Sequence, residues 1–305
     1  MLRFCVEKQG VGNFMRSFAG KHIVVTGAAF GIGRALASCL AEHGAMLHLV
    51  DINQEGLDQL ASEISGSVAA TWQCDLSSAA DTDRWLDQLQ SFPEPIDGLI
   101  NNAGVAYYGA TESMTMEQWD WLMNINLHAP IRITQRLIPA LMQRPDAHIV
   151  NMCSVAGLVA GGRFAAYHTS KFGLIGFTEA IRAEFGRRGI GVTAICPGPV
   201  QTDLYDSAES ARADQVVPKP PAWVCTTAEK VAIKTLAAMK KNKRQVLITP
   251  TAHGLFHMKK FIPGLIDFAN QFSRKKRRRI KELQQQEDKR LANLSPQKCQ
   301  GSKAA

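Results

Sequence analysis

The sequence predicts an α/β fold in a single domain: a doubly wound, parallel, seven-stranded sheet with helices on both faces. Three observations point there. Short β-branched runs alternate with helix-spaced apolar residues from about residue 20 to 250. The strand-like runs are apolar throughout, as in parallel strands covered on both sides. No run of ~18 or more apolar residues suggests a membrane span.

The elements follow in order. HIVVTG (22–27) is a β-branched strand ending in glycine, and Ile32 to His43 has helical spacing. MLHLVD (46–51) is a second strand; Leu57, Leu60, Ala61 and Ile64 mark a second helix. VAATWQCD (68–75) is the third strand, with Trp85, Leu86 and Leu89 on the next helix. DGLINNAG (97–104) reads as a fourth strand and turn, followed by a long helix over about 117–142. AHIVNMCS (147–154) precedes a helix over 165–187, and GVTAICPG (191–198) is the sixth strand. A Pro- and Ser-rich loop leads to a helix near 227–240 and a last strand, QVLITP (245–250). The expected organisation is a leader at 1–19, a domain at 20–250, an amphipathic segment at 251–273 and a basic tail at 274–305.

The net charge of +8 lies in the tail. From Arg274 onward there are 11 Lys or Arg and 3 Asp or Glu, leaving 24 of each sign elsewhere. A neutral core without a basic face argues against nucleic-acid binding. The N-terminus lacks the continuous apolar stretch of a secretory signal. Seven cysteines, none spaced C-x-x-C, fit reduced thiols in a cytoplasmic protein and no metal site.

The first strand runs into TGAAFGIG, with glycines at 27, 31 and 33. Glycines there allow a tight turn, and the following helix N-terminus suits a pyrophosphate. Asp51 ends the second strand 18 residues beyond Gly33, where a carboxylate can accept hydrogen bonds from an adenosine ribose. It would repel a 2′-phosphate, favouring NAD over NADP; the alternative is a helix N-cap. Arg34 pulls the other way. Asp75, at the end of the third strand, is either an adenine contact or an N-cap.

Tyr167 and Lys171 in YHTSK are four apart and share a helix face. A nearby ammonium favours the phenolate of a tyrosine, enabling proton exchange with an alcohol or carbonyl oxygen. Chance also places such pairs on helices. Ser154 ends the fifth strand, where ligand crevices open. Asn126, in MNINL, is an amide in an apolar helix, either satisfied locally or used.

TGAAFGIG (26–33), Asp51, CDL (74–76), NNAG (101–104), Asn126, Ser154, YHTSK (167–171) and PGPVQT (197–202) together resemble the short-chain dehydrogenase/reductase family over about 20–250. The resemblance implies a Rossmann-like sheet and a catalytic set of Asn126, Ser154, Tyr167 and Lys171. Tyr167 would be the general acid/base, Ser154 would orient the substrate oxygen, and Lys171 would lower the tyrosine pKa and bond the nicotinamide ribose. Asn126 would hold a relay water. The dinucleotide would be held by Gly27, Gly31, Ile32, Gly33, Asp51, Asp75, Leu76, Asn102, Ala103 and Gly104. Tyr167, Lys171, Pro197, Val200 and Thr202 would complete its site. Phe30 stands where the family often has a small residue.

On the substrate side, Ser154, Tyr167, Tyr107, Phe164 and Leu204 are candidate contacts. Val105, Tyr108, Val155, Val159 and the loop 204–223 are candidate lining. Their apolar character suggests a lipophilic alcohol or ketone; the alternative is that they only pack a lid. The apolar positions of 255–272 suit pocket or partner packing first, then a membrane surface beside RKKRRR (274–279), then nucleic acid. A homodimer or homotetramer is expected from the resemblance. The leading reading is an NAD(P)-dependent oxidoreductase of secondary alcohols and ketones. The alternative is a non-catalytic dinucleotide sensor or scaffold.

Overall fold

The computed structural model describes residues 15–202, 204, 209–210, 217–264 and 268. In chain order, β1 (His22–Thr26) leads through the glycine turn to α1 (Gly31–Glu42), then β2 (Met46–Asp51), α2 (Gln54–Glu63) and β3 (Val68–Gln73). Next come α3 (Ala79–Gln90), β4 (Gly98–Asn101), the two-residue β5 (Tyr107–Tyr108), α4 (Met116–Met123) and α5 (Ala129–Leu141). β6 (His148–Met152), α6 (Ala165–Phe185), β7 (Gly191–Cys196) and the short β8 (Glu209–Ser210) follow. α7 (Ala228–Lys240), β9 (Gln245–Leu247) and α8 (Pro250–Phe261) complete the order.

Seven strands form one parallel sheet in the order β3-β2-β1-β4-β6-β7-β9. The order reverses between β1 and β4, and a crevice opens there beyond the strand carboxyl ends. Successive strand residues point to opposite faces. Ile23, Val25, Leu47 and Leu49 join Leu36, Leu40, Val231 and Leu236 in one core. Val24, Val50, Leu99 and Ile149 join Leu86, Leu89, Ile133 and Leu137 in the other. This two-sided burial accounts for the unbroken apolar strands; each large aliphatic side chain so buried contributes about 1.5–3 kcal/mol.

Helix starts are set by side-chain caps. Asn53 accepts from Gly56 N–H for α2, Ser78 from Asp81 N–H for α3, and Thr115 forms a reciprocal box with Gln118 for α4.

Four features differ from the sequence reading. Met15 and Phe18, in the segment read as a leader, are fully buried in the first core. The single helix expected over 117–142 is two helices joined by a π turn, Asn124–His128. Pro130 explains the break: it has no N–H to offer the carbonyl of Asn126, four residues back. The last strand stops at Leu247, because α8 begins at Pro250. β5 and β8 form a separate parallel pair, Tyr107 opposite Glu209.

The chain divides into two units after Phe256, within α8. In the second, the rings of His257 and Phe261 stack at 6.1 Å. Leu265, Ile266, Phe272 and the basic run at 274–279 lie outside the described residues. Among the described residues no helix is long and apolar enough to cross a membrane.

Candidate active site

A cavity of about 790 Å³ opens at the reversal of strand order. The turn after β1 forms one end. Gly27 has φ +65°, and a Cβ there would sit 2.8 Å from Ala103 Cα. Gly33 packs so closely that its Cβ would fall 1.8 Å from Gly27 O. These approaches bring the turn, the start of α1 and the NNAG segment into one surface. Phe30, at the cap position of α1, has no side-chain acceptor to offer the first turn. Backbone N–H groups at an uncapped helix start suit an anionic ligand.

Thr26 ties this surface together, a role that sequence reasoning missed. Its Oγ1 accepts from Asn102 N–H (2.9 Å) and Ala103 N–H (3.1 Å). Asn102 Nδ2 returns a bond to Thr26 O at 2.9 Å. Its neighbour Asn101 points inward instead, donating to Thr134 Oγ1 (3.1 Å) and Asn151 Oδ1 (2.8 Å).

Asp51 stands on the cavity wall. Its carboxylate accepts from Ala29 N–H and Asn53 N–H, both at 3.0 Å. The N-cap of α2 is Asn53, so the capping alternative for Asp51 falls. Arg34 is committed elsewhere, donating to Glu63 Oε1 at 2.6 Å and to Ala29 O at 3.3 Å. These contacts, a half-buried carboxylate and a cradle a Cβ would fill, fit the adenosine end of a dinucleotide.

Tyr167 and Lys171 lie one turn apart on α6, and both line the cavity. Lys171 is 4% exposed, and its Nζ donates to Met152 O at 2.9 Å. Nζ stands 5.8 Å from the Tyr167 ring centroid. Burial pulls the Lys171 pKa below its ordinary value, against the opposing influence of Cys153 and Cys196. Ser154 faces the same cavity from the end of β6, its Oγ accepting from Ala156 N–H at 3.1 Å.

Asn126 is fully buried behind this wall. Its Oδ1 accepts from Val105 N–H at 2.8 Å, and its Nδ2 donates to Val105 O at 2.9 Å and to Ser170 Oγ at 3.2 Å. The side chain is therefore satisfied locally. A Cβ on Gly104 would sit 3.3 Å from Asn126 Oδ1 and 3.4 Å from Lys171 Nζ. Glycine thus lets the NNAG backbone pass between the two.

The structure gathers most of the expected residues around the cavity. Gly27, Gly31, Ile32, Asn102, Ala103 and Gly104 line the turn side. Ser154, Tyr167, Lys171, Pro197, Val200 and Thr202 line the other. Phe164 and Leu204 are also on its wall.

Gly33, buried under the turn, and Asp75, Leu76 and Tyr107 are not among the lining residues. Asp75 folds back onto Ser77 N–H at 2.9 Å and is not the cap of α3, which is Ser78. Leu76 belongs to the core beside Trp85. Tyr107 is 3% exposed, paired in β5, and its hydroxyl donates to Ser113 O at 3.3 Å. Of the further candidates for the lining, Val155 is on the wall while Val105, Tyr108 and Val159 are not. His168 and the Pro218–Pro220 segment also line it, and nothing in the residue types pointed to His168.

Comparison with known proteins agrees with this geometry. Residues 21–213 match the short chain dehydrogenase family model. The chain is 38% identical over 191 residues to a D-threitol dehydrogenase of Mycolicibacterium smegmatis, covering 62% of this chain and 74% of that protein. It is 35% identical over 212 residues to a CLA biosynthesis dehydrogenase/reductase of Lactiplantibacillus plantarum, covering 68% and 74%. A short chain dehydrogenase/reductase from Burkholderia phymatum in complex with NAD superposes with a TM-score of 0.72 at 25% identity, over 82% of this chain and 96% of that one. A short-chain dehydrogenase from Sphingobium yanoikuyae in complex with NADPH gives 0.67 at 26% identity, over 74% and 87%. With the glycine turn, the strand-end carboxylate and the Tyr–Lys pair on one cavity, the chain belongs to the short-chain dehydrogenase/reductase family and is an NAD(P)-dependent oxidoreductase of alcohol and keto groups.

Proposed function

We propose that this enzyme interconverts a lipophilic secondary alcohol and its ketone, with NAD(H) preferred. The observation that carries the reading is the convergence of Ser154, Tyr167 and Lys171 on one wall of the cavity that also holds Asp51 and the glycine turn. A nicotinamide dinucleotide, when bound, supplies the hydride chemistry. Tyr167 moves the proton at the substrate oxygen. Lys171, held by Met152 O beside the tyrosine ring, places a positive charge that favours the phenolate. Ser154 accepts Ala156 N–H on one Oγ lone pair, which leaves its own proton free to donate to a substrate oxygen. Asn126 shapes the wall by holding Val105 and lying beside Gly104; a relay water at its main chain is our reading for the carbonyl to which Pro130 offers no N–H.

Two contacts support NAD over NADP. Asp51 presents a carboxylate where a 2′-phosphate would add like charge; two such charges 4 Å apart cost about 4 kcal/mol at an effective dielectric of 20. Arg34, the candidate to offset it, is paired with Glu63. Gly31, Ile32, Asn102, Ala103, Pro197, Val200 and Thr202 are our candidates for the remaining cofactor contacts, with Phe164 and Leu204 for the substrate.

The apolar wall of Phe164, Val155, Leu204 and Pro218 supports a lipophilic substrate. Free thiols at Cys39, Cys74, Cys153, Cys196 and Cys225 support a cytoplasmic setting. Exposed apolar residues such as Met116 on α4 and Phe172 on α6 support self-association as a dimer or tetramer, which light scattering tests. Contact of residues 274–305 with anionic lipid is tested by vesicle partition of a chain ending at 273.

The decisive experiment is a panel of secondary alcohols and ketones with NAD(H) and NADP(H), D-threitol included, on the wild type and Tyr167→Phe. We expect turnover of apolar ketones that Tyr167→Phe abolishes while NADH binding survives. Best turnover on D-threitol would overturn the lipophilic assignment. Full activity in Tyr167→Phe would overturn the mechanism.

A further inference from the structure

His168 lies between the two residues of the Tyr–Lys pair, and both of its ring nitrogens are engaged. Gly161 N–H donates to Nε2 at 2.9 Å. Nδ1 lies 2.7 Å from Ala156 O. A peptide N–H only donates and a carbonyl only accepts, so the partners dictate the proton's place. The ring is neutral, with its proton on Nδ1 and its lone pair on Nε2.

The two contacts span a loop that begins at the reacting serine. Ala156, held through its carbonyl, uses its own N–H to bond Ser154 Oγ at 3.1 Å. One residue thus links the imidazole to the serine hydroxyl. The same turn lies flat on α6, because Gly157 has no room for a Cβ: one would sit 2.5 Å from Lys171 O. The far end of the loop is tied as well. Arg163, at φ +74°, accepts Gly109 N–H on its carbonyl at 2.9 Å. Phe164 then packs its ring 5.0 Å from Tyr108 and 6.4 Å from Tyr167. Between these two ties, His168 is the side chain that grips the loop, at Ala156 and Gly161 together.

We propose that His168 is a positioning residue, acting as a neutral Nδ1–H clamp that orients the Ser154 hydroxyl and holds the 155–164 wall against the substrate. This rests on the proposed role of Ser154 at the substrate oxygen. The clamp works only in one tautomer, since a proton on Nε2 would face Gly161 N–H donor to donor. Asn reproduces the donor near the Nδ1 position and Gln the acceptor near Nε2, so each conservative variant keeps one grip and Ala keeps neither.

The test uses the full chain. In the two-bond proton–nitrogen correlation of the histidine rings, assigned with His168→Gln, His168 should show a protonated Nδ1 and an unprotonated Nε2 near neutral pH. An Nε2–H ring or an imidazolium overturns the proposal. Amide deuterium uptake across 155–161 should rise in His168→Ala and fall back toward wild type in His168→Asn. With NADH and 9,10-phenanthrenequinone as the probe ketone, His168→Ala should lose about tenfold or more in kcat/KM, with His168→Asn intermediate. The NADH dissociation constant should stay within about twofold of wild type. Wild-type uptake and kcat/KM in His168→Ala overturn the clamp. Should the wild type fail to reduce the quinone, the lipophilic-ketone reading is what fails, and the ring correlation and deuterium uptake still decide the clamp.

Discussion

Acidification should destabilise this fold through a second histidine, far from the chemistry. His148, in the centre of β6, is fully buried. Its Nε2 lies 2.9 Å from Thr193 Oγ1. The threonine hydroxyl donates to Lys243 O at 2.6 Å, so Oγ1 must accept the imidazole proton. Nδ1 is left as a buried lone pair with no hydrogen-bond partner among the described residues, 2.3 Å from where a Gly191 Cβ would stand. A proton on Nδ1 would bury a cation with no acceptor. Burial first, and the Arg182 charge second, hold its pKa down to about 3. The folded pKa lies below the unfolded value of about 6.5, so stability is intact above pH 6.5 and falls as the unfolded chain alone takes up the proton. The slope is about 1.4 kcal/mol per pH unit, giving a loss of about 2 kcal/mol at pH 5 that levels off near pH 3. His48, held to about 4 by burial and by His22, adds a loss of about the same size at pH 5. Urea unfolding between about pH 7.5 and 5, followed by tryptophan fluorescence at fixed protein concentration, measures the slope. His148→Gln keeps a donor for Thr193 and removes the titration, so its slope should be shallower by about 1.4 kcal/mol per pH unit. Equal slopes in wild type and variant would refute the assignment of the buried lone pair.

Three further outcomes are expected. Gly33→Ala places a methyl against Gly27 O and the Asn102 amide and should abolish NADH binding in a fluorescence titration, because the Gly27 backbone cannot yield. Asp51→Asn keeps an acceptor for Ala29 N–H while removing the charge; it should move the NADPH-to-NADH ratio of kcat/KM toward NADPH by about tenfold or more. An unchanged ratio would mean the carboxylate does not set the preference. Lys171→Met removes a cation that burial disfavours, so turnover should vanish while the unfolding free energy from urea titration holds or rises, by about 1 kcal/mol. A sharp loss of stability would assign Lys171 a structural role instead.

What the sequence revealed, and what it hid, follows from the range of each interaction. The turn glycines and Asp51 were legible because strand, turn and helix are contiguous and the steric demand is local. Periodicity put Tyr167 and Lys171 on one helix face, but only the set of motifs around them singled the pair out. Two capping alternatives were decided by neighbours one or two residues away: Asn53 displaces Asp51, and Ser78 displaces Asp75. The burial of Tyr107 was not legible, because the strand that pairs with it comes about a hundred residues on, at Glu209. Met15 and Phe18 gave no periodic signal, yet pack beside α1 and α7; Lys240 lies 5.3 Å over the Phe18 ring. Pro130 did carry a readable signal. A proline four residues after an amide in a helix frees that residue's carbonyl, and here it marks the π turn at Asn126.

Reacting groups and supporting groups differ in how they can be read. A proton carrier must be a phenol, a hydroxyl or an amine, so composition and spacing narrow the choice to a few side chains. The supporting contacts run through backbone atoms that every residue has: Met152 O under Lys171, Ala156 N–H on Ser154, Gly161 N–H on His168. No side-chain pattern marks those partners. Only the side chain on the other end of each bond is specific, and a histidine inside a Tyr-x-x-x-Lys turn looks like filler until both of its nitrogens have addresses. Substitutions at Ala156 or Gly161 that preserve the backbone path should therefore be tolerated, whereas the single exchange of His168 for alanine releases both contacts at once.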